Sequence, residues 1–135
     1  MDYKLELIIV PVSDVDRSKE FYVEKAGFIL DVDHRAGDSF RVVQMTPPGS
    51  SCSISIGVGL SDMAPGSIKG LHLVVEDIAA AREEMVRRGL DVTDIRHMSA
   101  EGWKPGPDPA HSKYNSFADF TDPDGNQWLL QEVRP

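Results

Sequence analysis

The sequence predicts an α+β fold made of two βαβββ modules in tandem. A β-rich run leading into an Asp-capped helical pattern occurs at Leu7–Ser18 and returns at Gly70–Ala81, 63 residues later. Each helical pattern ends at a glycine, Gly27 or Gly89, and is followed by a strand-like run, ILDVDH or VTDIRH. In each half a Pro-containing turn with glycine in its fourth place, Thr46–Ser50 or Asp122–Asn126, then joins two further strand-like runs.

Taken in order, LIIVPV is short, apolar and β-branched, which suits a strand. Asp14 can accept backbone N–H bonds as the cap of a helix with Val15, Phe21, Tyr22 and Val23 on its apolar face. FRVVQM and CSISIG flank the first turn. In the second half Asp77 caps a helix with Ile78, Ala81, Met85 and Val86 on its apolar face, and SFADF and QWLLQEV flank the second turn. His34 and His97, again 63 apart, sit at equivalent places just beyond the second strand of each module, which suggests a shared structural role. The turns are 76 residues apart, so the second module carries about thirteen extra residues. They fall in SAEGWKPGPDPAHSK, expected as a long loop over 99–113. One domain is expected over 1–135: module one at 1–57, a polar Gly/Pro-marked linker at 58–69, and module two at 70–135. One module alone would leave a face of its curved sheet open, so two must pair to build a core.

Composition narrows the function classes. With 22 acidic against 14 basic residues the net charge is −8, which argues against nucleic acid or an anionic membrane surface as partner. No apolar run reaches the roughly 18 residues of a membrane span, and the N-terminus lacks the basic region and cleavage site of a signal peptide. The single Cys52 permits no internal disulfide and fits a reducing cytoplasm. Its side chain is expected to point away from its Ser51 and Ser53 neighbours.

The two modules, the FY pair on the helix of VSDVDRSKEFY, and the DPDGN turn together resemble the vicinal oxygen chelate superfamily. This is the group of glyoxalase I, extradiol dioxygenases, fosfomycin-resistance enzymes and bleomycin-binding proteins. The resemblance spans essentially the whole chain. It implies a cupped, barrel-like mixed sheet, often completed by a homodimer, with four inward positions around a divalent metal. Those positions, usually His, Glu or Gln, correspond here to Leu7, Ser53, Gly70 and Leu129. Leucine and glycine carry no donor, and a lone serine hydroxyl is a poor ligand for such a metal. Moving the register by two residues, which keeps the face, brings in His72 with Gln131 or Gln127 and Ser51 or Ser55. One imidazole with amides and hydroxyls is still a weak donor set.

No metal and no cofactor is therefore expected at the usual place. The predicted function is that of a cytoplasmic, homodimeric small-molecule-binding protein, as the resemblance implies for metal-free members that sequester bleomycin. Leu7, Ile9, Ser53, His72, Trp103, Tyr114, Gln127, Leu129 and Gln131 are the expected ligand contacts, with Trp103 on a lid closed by His111 and Tyr114. Glu6 and Glu132 have the opposite parity and should face away. The alternative is a glyoxalase-like lyase or isomerase, or a dioxygenase, with a shifted metal site or with His72 as acid and base. No nucleophile-elbow pattern supports serine chemistry.

Overall fold

The computed structural model describes residues 1–135. Its elements run β1 (Leu7–Ile9), α1 (Val15–Glu20), β2 (Ile29–Ala36), β3 (Phe40–Thr46), β4 (Ser53–Val58), β5 (Leu71–Val75), α2 (Ile78–Arg87), β6 (Arg96–Ser99), β7 (Gly102–Pro105), β8 (Ser116–Thr121) and β9 (Gln127–Glu132). The fold is α+β, as the sequence predicts, and backbone pairing defines two mixed sheets. The chain forms two compact units, residues 1–68 with 122–126, and residues 69–121 with 127–135.

In the first unit the strand order is β1-β4-β3-β2, with β1 parallel to β4 and the other pairs antiparallel. Asp14 caps α1 by accepting from the Arg17 amide at 3.1 Å, as its place before the apolar run predicts. Beyond Glu20 the helix widens into a π-helical turn, Phe21–Lys25, which closes with Ala26 N donating to Phe21 O. This turn buries Tyr22 completely. Alternation along β3 buries Arg41, Val43 and Met45, which pair with Val58, Ile56 and Ile54. The opposite face carries Val42, Gln44 and Thr46 with Leu7, Ile9, Ser53 and Ser55. Arg41 is nearly buried, yet its charge is answered: the guanidinium bonds both oxygens of Asp33 at 3.1 and 3.0 Å and Asp16 at 2.7 Å. Those bonds, with Lys19 at 2.7 Å, hold the Asp33 carboxyl well below its usual range.

The segment Asp122–Asn126 joins the first unit through side chains as well as backbone. Tyr22 Oη donates to Asp122 Oδ2 at 2.8 Å, Ser13 Oγ to Asp124 Oδ1 at 2.5 Å, and Asn126 Nδ2 to the Pro11 carbonyl at 2.8 Å. A motif that read as a hairpin turn is thus also an anchor.

In the second unit the order is β5-β9-β8-β6-β7, with β5 parallel to β9. Asp77 caps α2, accepting from Ala80 N at 3.1 Å. The helix packs on β8 and β9, and those strands bury Ser116, Ala118, Phe120, Trp128, Leu130 and Glu132 in strict alternation. Within the stretch expected as loop, Gly102–Pro105 forms β7, pairing back onto β6 as a hairpin. The second module accordingly has one strand more than the predicted pattern. Its second strand also starts later than expected, at Arg96 instead of near Val92.

The two histidines do not share one role. His34 lies inside the exposed β2, whereas His97 is buried, its Nδ1 2.8 Å from the Gly106 carbonyl.

Candidate functional site

Each sheet has one face covered by its helix and one left partly open, and the open faces carry the residues of interest. On the second sheet, cross-strand pairing puts His72 opposite Leu129, Leu129 opposite Asp119, Gln131 opposite Phe117, and Phe117 opposite Arg96. Paired residues point the same way, so His72, Leu129, Gln131, Gln127, Asp119, Phe117, Arg96 and Trp103 share this face. The resemblance places Gly70 and Leu129 among the four inward positions of the fold. The ladder pairs Leu129 with His72, because the stretch from strand to cap is two residues shorter here than the one after Leu7, which pairs with Ser53. Gly70 precedes β5 altogether.

Proton bookkeeping fixes what this face offers. Gln131 Nε2 donates to the Tyr114 carbonyl at 3.1 Å, so its Oε1, 2.8 Å from His72 Nδ1, is an acceptor. His72 Nδ1 therefore carries a proton, and in the neutral ring Nε2 is a bare acceptor. The partner is an amide and not a carboxylate, so His72 is oriented without an acid–base dyad. Gln127 Nε2 donates to Asp119 Oδ2 at 3.1 Å, which leaves its Oε1 as another acceptor. Asp119 Oδ1 lies 2.9 Å from Arg96 Nη1.

Arg96 does more than pair. Its guanidinium sits 5.2 Å from the centre of the Trp103 ring and 6.0 Å from that of Phe117, and the two rings meet edge to face at 5.6 Å. Trp103 is 54% exposed. It belongs to β7, so the indole stands on an edge strand paired with β6 within the stretch expected as a loop. A groove of about 320 Å³ opens beside this cluster, lined by Asp91, Thr93, Asp119, Phe120, Thr121 and Gln127.

The rest of the expected loop is pinned by one carboxylate. Asp108 accepts from the Asn115 side chain at 3.1 Å and from the Ala110 and Ser112 amides at 3.0 and 3.2 Å. The Asn115 amide first, and then these backbone donors, hold its carboxyl at about 2. This turn sets Tyr114 at φ 63°, with its carbonyl toward Gln131. The phenol side chain is exposed. His111 turns away from the open face to Glu132, at 2.8 Å. Glu132 itself is buried on the helix side, as its parity predicts; burial alone would raise its carboxyl, but the Ile78 amide and His111 outweigh that and lower it.

On the first sheet Leu7 and Ile9 flank Ser53 and Ser55. Thr46 Oγ1 bonds the Asp31 carboxylate and lies 2.7 Å from Ser53 Oγ.

The metal donors implied by the family resemblance do not fit either face. Leu7 with Ser53, and His72 with Leu129, supply one imidazole and one hydroxyl, and no group of three or more His, Cys, Asp or Glu side chains is placed to hold an ion. Arg96, Phe117 and the structural use of Asp119 were not anticipated from the sequence. Carrying the alternation of SFADF inward would have found Phe117 and Asp119, whereas Arg96 needs the β6 register.

The fold defines an α+β protein of the glyoxalase/bleomycin-resistance class. The model of the Glyoxalase/Bleomycin resistance protein/Dioxygenase superfamily matches residues 4–130, and the chain belongs to that superfamily. It is similar to TnmS3, an antibiotic binding protein from Streptomyces sp. CB03234, with 33% identity and a TM-score of 0.74 over 97% of this chain and 96% of that one. A glyoxalase/bleomycin resistance protein from the same organism is 34% identical, with a TM-score of 0.71 over 95% and 99% of the two chains. YetH of Bacillus subtilis (strain 168) is 27% identical over 128 residues, 93% of this chain and 94% of that protein.

Proposed function

We propose that this chain is a cytoplasmic small-molecule-binding protein that captures an antibiotic-like ligand without a metal and without chemistry at His72. The observation that carries this reading is the open face of the second sheet. Trp103 and Phe117 form an aromatic corner over Arg96, and His72 Nε2 and Gln127 Oε1 stand by as fixed acceptors. An apolar platform with a few oriented polar groups is what a small-molecule site requires. On this face Leu129 and Gln131 would complete the floor and Tyr114 the rim, while Leu7, Ile9 and Ser53 would be ligand contacts on the open face of the first sheet. Similarity to an antibiotic binding protein supports the ligand class. Cys52, a free thiol, supports a reducing compartment. A homodimer is supported by β2, an edge strand exposed along all eight residues, with Ile29 and Leu30 among them.

Titrating a panel of polycyclic aromatic and glycopeptide antibiotics against the tryptophan emission tests the reading. At least one ligand should quench the emission and raise the melting temperature, and Trp103→Ala should weaken that ligand at least about tenfold, or roughly 1.4 kcal/mol. A panel that leaves both emission and melting temperature unchanged would overturn the proposal.

A further inference from the structure

The first sheet carries a more specific chemical signature in the chain Asp31–Thr46–Ser53. Each hydroxyl owns one proton, and a carboxylate can only accept. Thr46 Oγ1 gives its proton to Asp31, so the 2.7 Å contact between Thr46 and Ser53 is donated by Ser53. What Ser53 has left is lone pairs alone. Two residues on, Ser55 Oγ is buried without a hydrogen-bond partner and faces the same way, since Leu7 pairs with Ser53 and Ile9 with Ser55. A buried hydroxyl such as that of Ser55 costs stability unless something answers it.

We infer that this strip is an acceptor site for a hydrogen-bond donor group of the ligand, above all an ammonium on an apolar frame. The inference rests on the small-molecule-binding reading and adds the chemistry of the group taken at Ser53. An ammonium has three protons and no lone pair. It can meet Ser53 Oγ and the second oxygen of Asp31 at once, while Leu7 and Ile9 wall the hydrocarbon part. Hydrogen bonds that run in one direction from Ser53 to a carboxylate polarise one another and strengthen the last acceptor. The net charge of −8 draws a cation and repels an anion. Ser53 stands where the superfamily resemblance implies a metal ligand, so a small organic cation held by hydrogen bonds would occupy ground that others give to a metal.

The test uses three probes of one shape, naphthylmethylamine, naphthylmethanol and naphthoate, followed by amide NMR shifts on the full chain. The amine is expected to shift Leu7, Ser53 and Ser55 and to bind at least about tenfold tighter than naphthoate. Asp31→Asn should collapse that preference, because an amide can donate to Thr46 and release Ser53 from its one-way role; Asp31 is exposed, so the variant should fold. Shifts at Trp103 and Phe117 with none at Leu7, Ser53 and Ser55 would overturn the acceptor site alone. Equal affinities for amine and naphthoate would also overturn it. Absence of shifts on either sheet would remove the binding reading along with it.

Discussion

Tyr22 Oη and Asp122 Oδ2 are 2.8 Å apart and both side chains are buried, though 100 residues separate them in the chain. The phenol comes from a π-helical turn and the carboxylate from the DPDGN turn, so two irregular pieces of backbone are locked to each other. Asp122 is further held by the amides of Asp124 and Asn126, each at 2.9 Å, and by Asn126 Nδ2 at 2.7 Å. Tyr22→Phe keeps the ring and removes one donor from a buried carboxylate. The expected loss is about 1–3 kcal/mol, read in urea as a lower midpoint with an unchanged slope. An unaltered midpoint would show that the phenol is dispensable.

A second prediction concerns Gly66, the backbone neighbour of that turn. It adopts φ 80°, and a Cβ built there would lie 2.1 Å from the Asp124 carbonyl oxygen. Two penalties coincide in Gly66→Ala, a left-handed conformation that L side chains resist and a collision with backbone that cannot swing aside. Thermal unfolding should shift down by several degrees, with Gly49→Ala as the control. Gly49 has a similar φ of 83° and open space around its Cβ, so it isolates the conformational part.

Acid should loosen the second unit through Asp108. Its carboxyl is held at about 2 by Asn115 and backbone donors, below an ordinary 3.8. A folded-state value below the unfolded one contributes stability that is present above about pH 4 and is lost as pH falls toward 2. Asp108→Asn should therefore lower the melting temperature at pH 6 and narrow its gap to the parent chain near pH 2. Asp33 and Glu132 are lowered too, so the parent chain keeps an acid limb of its own. A gap that stays constant across this range would remove Asp108 from the list of causes.

Much of this was legible in the sequence because a period of two is local. Leu7 beside Ser53, and His72, Leu129 and Gln131 on one face, follow from alternation and a repeat. The resemblance implies Gly70 as one of the inward positions, but Leu129 pairs with His72, because the stretch from strand to helix cap is two residues shorter in the second half than after Leu7. β7 was hidden because GWKP shows neither alternation nor β-branching. It is a strand by virtue of pairing at a sheet edge, where Pro105 is tolerated. Asp122 was readable as a turn residue, but its bond to Tyr22 is a tertiary fact that no local pattern encodes.

Arg96 stacks against Trp103, and its share in holding the ring can be measured apart from any ligand. The guanidinium lies 5.2 Å from the Trp103 ring centre while its Nη1 reaches Asp119 at 2.9 Å, so one side chain ties the aromatic corner to the polar floor. Arg96→Lys keeps a charge for Asp119 but removes the planar group that stacks on the indole. Trp128 is 3% exposed and serves as an internal reference for quenching by iodide. Quenching of Trp103 should rise in Arg96→Lys and rise further in Arg96→Ala, with a stability cost of only about 0.5–1 kcal/mol because the stack is half exposed. Any ligand that uses the indole should lose affinity in the same order. Equal quenching in all three chains would mean that β7 alone positions the ring, and Arg96 would then be left as a partner of Asp119 only.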